Sequence, residues 1–325
     1  MYKKTIIILS ILIFMVTTGY ARDYKYIDSH LHYLNFVEQT QGFTALIKKL
    51  DEQNVDKSVI FGMPYNIVVT EKSVNNPTYY LSDDSKVFWY GMTDILLMDD
   101  YLKLSLEQQK RFYPFVCGAN TNNINSAQEI EHLLDMYPGK WKGIGELMFR
   151  HDYLSWKAGE DIPTPNNAAA DAIFDLAARR NLPVILHQDM TSMRSTMPIY
   201  KFEMETALEK HPATHIIWAH VGKTYNTNVD NLIGIADELL EKYPNLSFDL
   251  SWIVFEEDID KDDASLHSWA ALLQKYPKRF LIGTDTVGNF DNYNIRKYDR
   301  LLDLVDDNTA RAVSHDNFLR AVHEL

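Results

Sequence analysis

The chain has 325 residues, of which 46% are hydrophobic and 24% are charged, and its formal net charge is −13. Nucleic acid and anionic membranes repel an acidic protein, so the charge argues against both as partners. It says little about a small-molecule substrate, because a bound metal can dominate the field inside a site. The single cysteine, Cys117, excludes an intramolecular disulfide.

The first 21 residues have the pattern of a secretory signal peptide. Lys3 and Lys4 precede an apolar run over residues 6–16, in which Ser10 is the one polar residue, and the small residues Gly19 and Ala21 follow it. The run is too short for a spanning helix, which needs about 20 apolar residues, so stable membrane insertion is not expected. We therefore predict cleavage after Ala21, a mature chain over residues 22–325 and a periplasmic or secreted protein.

Eight short apolar runs alternate with longer amphipathic segments along the remaining chain. Each run is rich in Val, Ile or Phe and is bounded by Pro, Gly, Asn or Asp, which is typical of buried parallel strands. The predicted strands cover residues 26–30, 57–62, 112–118, 142–147, 183–187, 215–220, 246–250 and 279–283.

Helices are predicted between the strands. Their ranges are 44–53, 94–110, 126–136, 167–180, 199–210, 229–242, 264–275 and 293–305. Ser126 followed by Glu129 indicates a capping box, and Asn181 stands where the preceding helix should end. Eight alternations of strand and helix indicate an α/β fold, a (β/α)8 TIM barrel, with a doubly wound open sheet as the lesser alternative.

Nothing in the sequence divides the chain, so we predict a single domain. The longest irregular stretch, residues 63–92, follows the second strand and carries several aromatic residues. We expect it either to form part of a lid or substrate wall or to pack within its own loop.

Ionisable side chains stand at the ends of five predicted strands. They are His30 and His32 on the first strand, Glu146 on the fourth, His187 on the fifth, His220 on the sixth and Asp285 on the eighth. Active sites of TIM barrels lie at the carboxyl ends of the strands. Alternate residues of a strand point to the same side, so His30 and His32 can close on one metal ion. We interpret the whole set as a metal site.

This constellation resembles the amidohydrolase superfamily, and in particular the branch of amidohydrolase-related lactonases and non-oxidative decarboxylases. Residues 111–115, 143–146 and 317–320 are also similar to sequence blocks of that branch. The resemblance runs from about residue 24 to the C-terminus, and it implies a metal-bound barrel that acts as a hydrolase or a lyase.

The resemblance also implies roles for the site residues. The expected metal ligands are His30, His32, His187 and Asp285, holding Zn²⁺ or another divalent ion. Zinc lowers the pKa of a water ligand to about 7, and Asp285 would act as the general base. His220 would polarise the substrate carbonyl, orient the water or bind a second ion. One ion per chain is favoured and two are the alternative, with Glu146 as a bridge in the second case and as support or a substrate contact in the first.

Substrate specificity is expected to come from the loops. Arg150 and His151 after the fourth strand and Arg194 after the fifth are candidates for binding a carboxylate or phosphate, because arginine pairs bidentately with such groups. The alternative is that each arginine forms an ion pair on an acidic surface. Trp252 and Tyr225 are expected to wall the pocket.

The leading functional hypothesis is a secreted metal-dependent hydrolase that cleaves a small ester, lactone or amide. The alternative is a non-oxidative decarboxylase of a small aromatic or unsaturated carboxylic acid. A catalytically inactive binding protein is the least favoured class, because the ligand-type residues are complete. The sequence leaves a homo-oligomer open.

Overall fold

A computed structural model describes residues 22–69, 77–82 and 84–325. Eight parallel strands form one curled sheet and occur in it in chain order. They are β1 (Tyr26–Asp28), β2 (Val55–Ile60), β3 (Phe112–Val116), β4 (Gly143–Met148), β5 (Val184–His187), β6 (Ile216–Trp218), β7 (Leu246–Asp249) and β8 (Phe280–Leu281). All eight predicted strands are confirmed.

Hydrogen bonds between the first and last strands close the sheet into a barrel. The backbone N–H of Ser29 donates to the carbonyl of Ile282 at 3.0 Å, and the N–H of Asp285 donates to the carbonyl of His30 at 2.8 Å. A closed sheet of eight parallel strands is the TIM barrel that the sequence predicts, not a doubly wound open sheet.

Helices surround the barrel. They are Gly42–Glu52, Thr93–Leu102, Leu106–Gln109, Ser126–Met136, Asp152–Ala158, Ala168–Arg180, Lys201–Lys210, Leu232–Lys242, Asp263–Lys275, Asp299–Leu302, Asp307–Arg311 and Asn317–Ala321, with 3-10 turns at Ala219–Gly222 and Ile295–Tyr298 and π-helical turns at Phe255–Ile259 and Ala312–Asp316. The helices predicted at 94–110 and 293–305 are each interrupted. The helices at Asp152–Ala158 and beyond residue 306 were not predicted.

Two sequence signals for helix ends had different outcomes. Asn181 ends its helix as predicted, in the left-handed conformation with φ 53°. The capping box at Ser126 was wrong: Asn125 is the cap, and the Ser126 hydroxyl donates to a backbone carbonyl of the preceding loop at 2.6 Å. A capping box occurs instead at Ser105 and Gln108, where it begins the second half of the interrupted helix.

The C-terminal helix closes the amino-terminal end of the barrel. The Asn317 amide donates to the carbonyls of Pro277 and Phe280 at 2.9 and 2.8 Å, just where β8 begins. Phe318 packs inside the barrel against the rings of Tyr113 and Phe115. The apolar interior therefore fills this end, and the opposite end is left for polar chemistry.

The stretch predicted to be irregular, residues 63–92, contains an antiparallel pair of short strands, Tyr65–Ile67 and Val87–Trp89. Tyr79 and Tyr80 of this stretch pack against Phe36, with ring centroids 5.5 and 5.3 Å apart. The predicted signal peptide, residues 1–21, lies outside the described residues. In the part of the chain that the structure describes, no helix combines the length and apolar character needed to cross a bilayer.

Candidate metal centre

The open end of the barrel brings together the six ionisable side chains that the sequence singles out. His187 is the last residue of β5, and Glu146 lies within β4, two residues before its end. His30 and His32 follow β1, His220 lies in the turn after β6, and Asp285 follows β8. All six side chains are buried except for Asp285, which is 10% exposed.

Glu146 lies at the centre of the cluster, between two pairs of imidazoles. Its Oε2 is 3.5 Å from His30 Nε2 and 3.2 Å from His32 Nε2. Its Oε1 is 3.3 Å from His187 Nδ1 and 3.4 Å from His220 Nε2. Each carboxylate oxygen therefore serves a different pair of histidines.

Asp285 adds a second carboxylate on one side of Glu146. Its Oδ1 lies 3.4 Å from His30 Nε2 and 3.5 Å from His32 Nε2, and its Oδ2 lies 3.8 Å from His220 Nε2. The atoms of His30, His32 and Asp285 consequently face one region, with an oxygen of Glu146 beside them.

The structure divides the four predicted ligands instead of gathering them at one point. The sets of potential ligand atoms within 4.8 Å of one another are His30, His32 and Glu146; His30, His220 and Asp285; Glu146, His187 and His220; and His151, His187 and Asp189. Among the described residues, His187 thus shares no such set with His30, His32 and Asp285. The physical reason is the carboxylate of Glu146, which occupies the space between them.

Two buried atoms of the cluster identify it as a place for a cation. Within the described residues, His30 Nε2 and Glu146 Oε1 are buried without a hydrogen-bond partner. Leaving buried polar atoms unsatisfied is costly, and a divalent ion would satisfy both. The donor set of imidazole nitrogens and carboxylate oxygens suits Zn²⁺ and related divalent ions. The residues present therefore fit a metal.

The first two histidines are oriented by acceptors on their other ring nitrogen. His30 Nδ1 lies 2.7 Å from Asp249 Oδ2, and His32 Nδ1 lies 2.7 Å from the carbonyl oxygen of Gly62. Such partners fix the tautomer and aim the remaining nitrogen at a metal. Asp249 also accepts from the backbone N–H of Ser251 at 3.0 Å, which holds the carboxylate itself in place.

The second pair is oriented in the same manner. His187 Nε2 lies 3.1 Å from Asp189 Oδ1, so its Nδ1 faces Glu146. His220 Nδ1 lies 3.0 Å from the carbonyl oxygen of Ser251, so its Nε2 faces Glu146. All four histidines therefore present a nitrogen to the same carboxylate.

The protein's own charges shift the titration of the cluster. Burial lowers the pKa of His30, but the neighbouring carboxylates, Glu146 foremost, outweigh it and raise this pKa well above its usual value. Burial likewise opposes protonation of His187, yet its bonds to Asp189 and Glu146 raise its pKa to about 9. Burial favours the neutral acid of Glu146, but the imidazoles lower the pKa of this carboxyl well below its usual range. A divalent ion must displace protons here, so metal affinity should rise with pH.

Two glycines allow the strands to approach closely at the centre. A Cβ atom on Gly145 would lie 2.1 Å from the carbonyl oxygen of Ile185, and one on Gly283 would lie 2.5 Å from the Cβ of His30. Glycine is therefore required at both positions. Gly145 lets β4 approach β5, and Gly283 lets the last strand approach the first, at distances that a residue with a Cβ atom would not permit.

The centre opens into a narrow cavity with about 300 Å³ of free space, including its mouth. Its other lining residues are Phe36, Met63, Tyr79, Tyr80, Met148, His151, Leu154, Trp252 and Val287. The stretch 63–92 thus supplies part of the wall, and Trp252 lies where the sequence places it. Burial and the neighbouring His187 lower the pKa of His151 well below its usual value.

The two arginines predicted to bind substrate lie outside this cavity. Arg150 forms a bidentate ion pair with Glu203, at 2.7 and 3.2 Å, and stacks on the ring of Tyr200. Its side chain is only 13% exposed, so the structure corrects the assignment: Arg150 holds the loop after β4 against the helix Lys201–Lys210. Arg194 is exposed and lines a separate surface cavity with Trp156.

Sequence reasoning missed Asp249 and Asp189. Asp249 closes the seventh apolar run, and applying to that run the test used for the other strand ends would have found it. Asp189 follows His187 by two residues, and only its contact with the ring reveals its role.

Comparison with known proteins gives one family and a set of similar folds. The family model described as amidohydrolase matches residues 27–320. A putative amidohydrolase from Staphylococcus aureus has 13% identity and a TM-score of 0.56, over 92% of this chain and 100% of that one. A probable 2-pyrone-4,6-dicarboxylic acid hydrolase from Acinetobacter baumannii has 14% identity and a TM-score of 0.56, over 92% and 100%.

A 2,6-dihydroxybenzoate decarboxylase from Rhizobium has 12% identity and a TM-score of 0.54, over 92% of this chain and 98% of that one. At these identities the likeness to solved structures establishes the fold alone. The chain matches none of the curated proteins.

Proposed function

Because the chain belongs to the amidohydrolase family, we propose that this enzyme hydrolyses a small ester, lactone or amide at a centre whose residues would hold two divalent ions. The observation that carries the proposal is the position of the Glu146 carboxylate, with one oxygen facing His30 and His32 and the other facing His187 and His220. Sequence alone favoured one ion.

The ligand assignment follows from which atoms face each oxygen of Glu146. His30, His32 and Asp285 would hold one ion, and His187 and His220 would hold the other, with Glu146 shared between them. Zn²⁺ is the ion that this donor set suits best among those that the sequence suggests. A divalent ion bound there would supply Lewis-acid chemistry, polarising a carbonyl and lowering the pKa of a water molecule.

Asp285 is the residue positioned to move the proton. Its Oδ1 faces the Nε2 atoms of His30 and His32, so Oδ2 remains to take a proton from the attacking water and pass it to the leaving group. The side chain also lines the cavity, where substrate would lie. Oδ2 lies 3.8 Å from His220 Nε2, on the side of the centre.

Decarboxylation of a small aromatic or unsaturated acid is the alternative that the same centre supports. The aromatic lining by Tyr79, Tyr80 and Trp252 suits a flat ring in either reaction. Only the products separate the two chemistries.

Metal content and product analysis test the proposal together. We expect two equivalents of metal per chain after dialysis, at most one in Glu146→Gln, and two in Glu203→Gln, which is a buried carboxylate outside the centre. Wild-type protein should hydrolyse members of a panel of lactones, esters and amides, and Asp285→Asn should lower kcat by about 100- to 10,000-fold.

Two results would overturn the proposal. A protein that keeps no metal and hydrolyses nothing in the panel is a binding protein. Release of carbon dioxide from hydroxybenzoates without hydrolysis of the panel would make decarboxylation the function.

We also propose that the enzyme acts in the periplasm or outside the cell. The support is the basic and apolar pattern of residues 1–21. Amino-terminal sequencing of the protein from the periplasmic fraction of an expressing bacterium should begin at Arg22. A cytoplasmic protein that retains residue 1 would contradict this.

A further inference from the structure

One polar side chain in the cavity has no part in the proposed metal centre. His151 follows β4, is 3% exposed and lines the cavity. Its Nδ1 is buried without a hydrogen-bond partner among the described residues. The backbone N–H of this residue donates to the Ser155 hydroxyl at 3.0 Å, which anchors the residue at the start of its helix.

Aromatic neighbours hold the His151 ring in one orientation. The ring stacks on His187 with centroids 4.3 Å apart and an angle of 18° between the planes. The Tyr80 ring is nearly perpendicular to it, with centroids 5.2 Å apart, and the Trp252 ring centroid lies 6.0 Å away. A ring packed in this way cannot turn freely to find another partner for Nδ1.

A role as a further metal ligand does not fit the geometry. His151 does form a set of potential ligand atoms with His187 and Asp189. However, His187 Nε2 already lies 3.1 Å from Asp189 Oδ1, while His187 Nδ1 faces Glu146. A metal in that set would bind His187 through Nε2, while Nδ1 of the same ring is already directed at the metal centre. A neutral imidazole has a lone pair on only one of its two nitrogens, so His187 cannot bind a metal at both. The unsatisfied nitrogen of His151 is therefore left for substrate.

We propose, building on the hydrolase function above, that His151 binds a hydroxyl group on the ring of the substrate, and that this substrate is an uncharged ester or lactone with a single aromatic or unsaturated ring. The ring would lie between Tyr80 and Trp252, with its scissile carbonyl directed at Glu146 and Asp285. The hydroxyl group would satisfy His151 Nδ1, because a hydroxyl can donate or accept and so suits either tautomer of the imidazole.

Size and charge of the cavity limit the substrate further. The free space is only about 300 Å³ even with the open mouth included, so the substrate must be small. The lining that the structure describes contains no arginine or lysine. A carboxylate directed away from the metal centre would be buried there without a positively charged partner, at a large cost.

Matched aryl esters test the proposal with the metal-loaded enzyme. Wild type should prefer 3-hydroxyphenyl acetate over phenyl acetate by at least tenfold in kcat/KM, and 3-carboxyphenyl acetate should be at least tenfold poorer than phenyl acetate. His151→Phe keeps the stacked ring but removes the nitrogen, so the preference for the hydroxyl should fall below twofold. His151→Asn, whose amide approximates the position of Nδ1, should restore part of it.

His211→Asn is the control, because His211 is a buried histidine that bonds to Asp171 and Asp175 outside the barrel mouth. The control should keep the full preference. Equal kcat/KM for the two uncharged esters in wild type would overturn the role of His151. So would a loss of metal from His151→Phe, because that result would make His151 a ligand. A preference for the carboxylated ester would overturn the substrate class.

Binding of ketones that cannot be hydrolysed separates this proposal from the hydrolase function. Isothermal titration calorimetry should show at least tenfold tighter binding of 3-hydroxyacetophenone than of acetophenone by wild type, and no such difference in His151→Phe. If that holds while no ester is cleaved, the proposed hydrolysis fails and the His151 contact stands. If both ketones bind wild type equally, or neither binds, the contact fails whatever the esters show.

Discussion

Two carboxylates that orient the histidines offer a direct test of a centre with two metal positions. Asp249 bonds to His30 on one side of Glu146, and Asp189 bonds to His187 on the other. We consider Asp249→Asn and Asp189→Asn, which remove a charge but keep the shape of each side chain. Asp189→Asn should weaken only the position that His187 serves. Asp249→Asn should weaken the position of His30 most and that of His220 less, because Asp249 also holds Ser251, which bonds to the His220 ring.

The geometry sets the size of each effect. Loss of a partner that orients a metal ligand typically costs 10- to 100-fold in metal affinity, or about 1.4 to 2.7 kcal/mol. His30 Nδ1 and Asp249 Oδ2 are 2.7 Å apart, within the range of strong charge-assisted bonds, so Asp249→Asn should lie near 100-fold. The bond between His187 and Asp189 is longer, at 3.1 Å, so Asp189→Asn should lie near tenfold.

Competition with a chromophoric zinc chelator measures the two stepwise dissociation constants. Asp189→Asn should raise one of them and change the other by less than about threefold. Asp249→Asn should raise the other constant most, with a smaller rise in the first. Asp175→Asn is the matched control, since Asp175 bonds to His211 at 3.0 Å outside the centre. It should change neither constant.

The reasoning is refuted if one dissociation constant describes wild type and both variants raise it. That result would mean that a single ion contacts both His30 and His187, which is the shell that the sequence favours. It would leave Glu146 as a neighbour of the ion instead of a bridge.

Three further predictions concern stability. Arg150→Met should lower the free energy of unfolding by about 3 to 5 kcal/mol, because it leaves the Glu203 carboxylate buried without its ion-pair partner. The same change should alter KM by less than threefold. A large rise in KM with unchanged stability would restore a substrate-binding role for Arg150. Burial, followed by nearby positive charges, lowers the pKa of His215 to about 4, so the unfolded chain binds its proton more readily. Stability should therefore fall by about 3 kcal/mol as the pH drops from about 6.5 to about 4, and His215→Gln should flatten that slope in urea titrations; parallel slopes would contradict it. Gly145→Ala should cost about 3 kcal/mol or more in thermal or urea unfolding because its Cβ would meet the carbonyl of Ile185, and wild-type stability would show that the strands can part freely.

The barrel could be predicted because seven of its strands are buried along their whole length, and β2 is buried except at Asp56 and Lys57. Runs such as residues 184–187 and 216–218 carry no polar residue before their ends. The apolar residues therefore identify the strand, and the ionisable residue that follows them identifies the carboxyl end, which lies at the open end of the barrel. The same rule located all six residues of the cluster. It also applied to Asp249, which ends the seventh strand in the same way.

The arrangement within the centre could not be predicted, because it depends on depth and direction. Glu146 stands two residues before the end of β4, and nothing in the local pattern says that its carboxylate reaches between His187 and His30. The role of Arg150 could not be predicted for a similar reason. Its partner Glu203 is 53 residues away in the chain, and only the packing of the loop after β4 against the helix Lys201–Lys210 turns the guanidinium toward it.

The direction of the cavity side chains could not be predicted from residue types alone, because it depends on an unusual backbone conformation. His220, Trp252 and Asp285 each follow a barrel strand and adopt the left-handed conformation, with φ of 55°, 59° and 52°. Such values cost a residue other than glycine of order 1 to 3 kcal/mol, so they persist only where the surroundings hold the backbone. The Asp285 N–H bonds to the carbonyl of His30, and Ser251 holds the His220 ring. The closed barrel thus stabilises turns that the local sequence would not adopt alone. These turns direct the side chains across the barrel mouth.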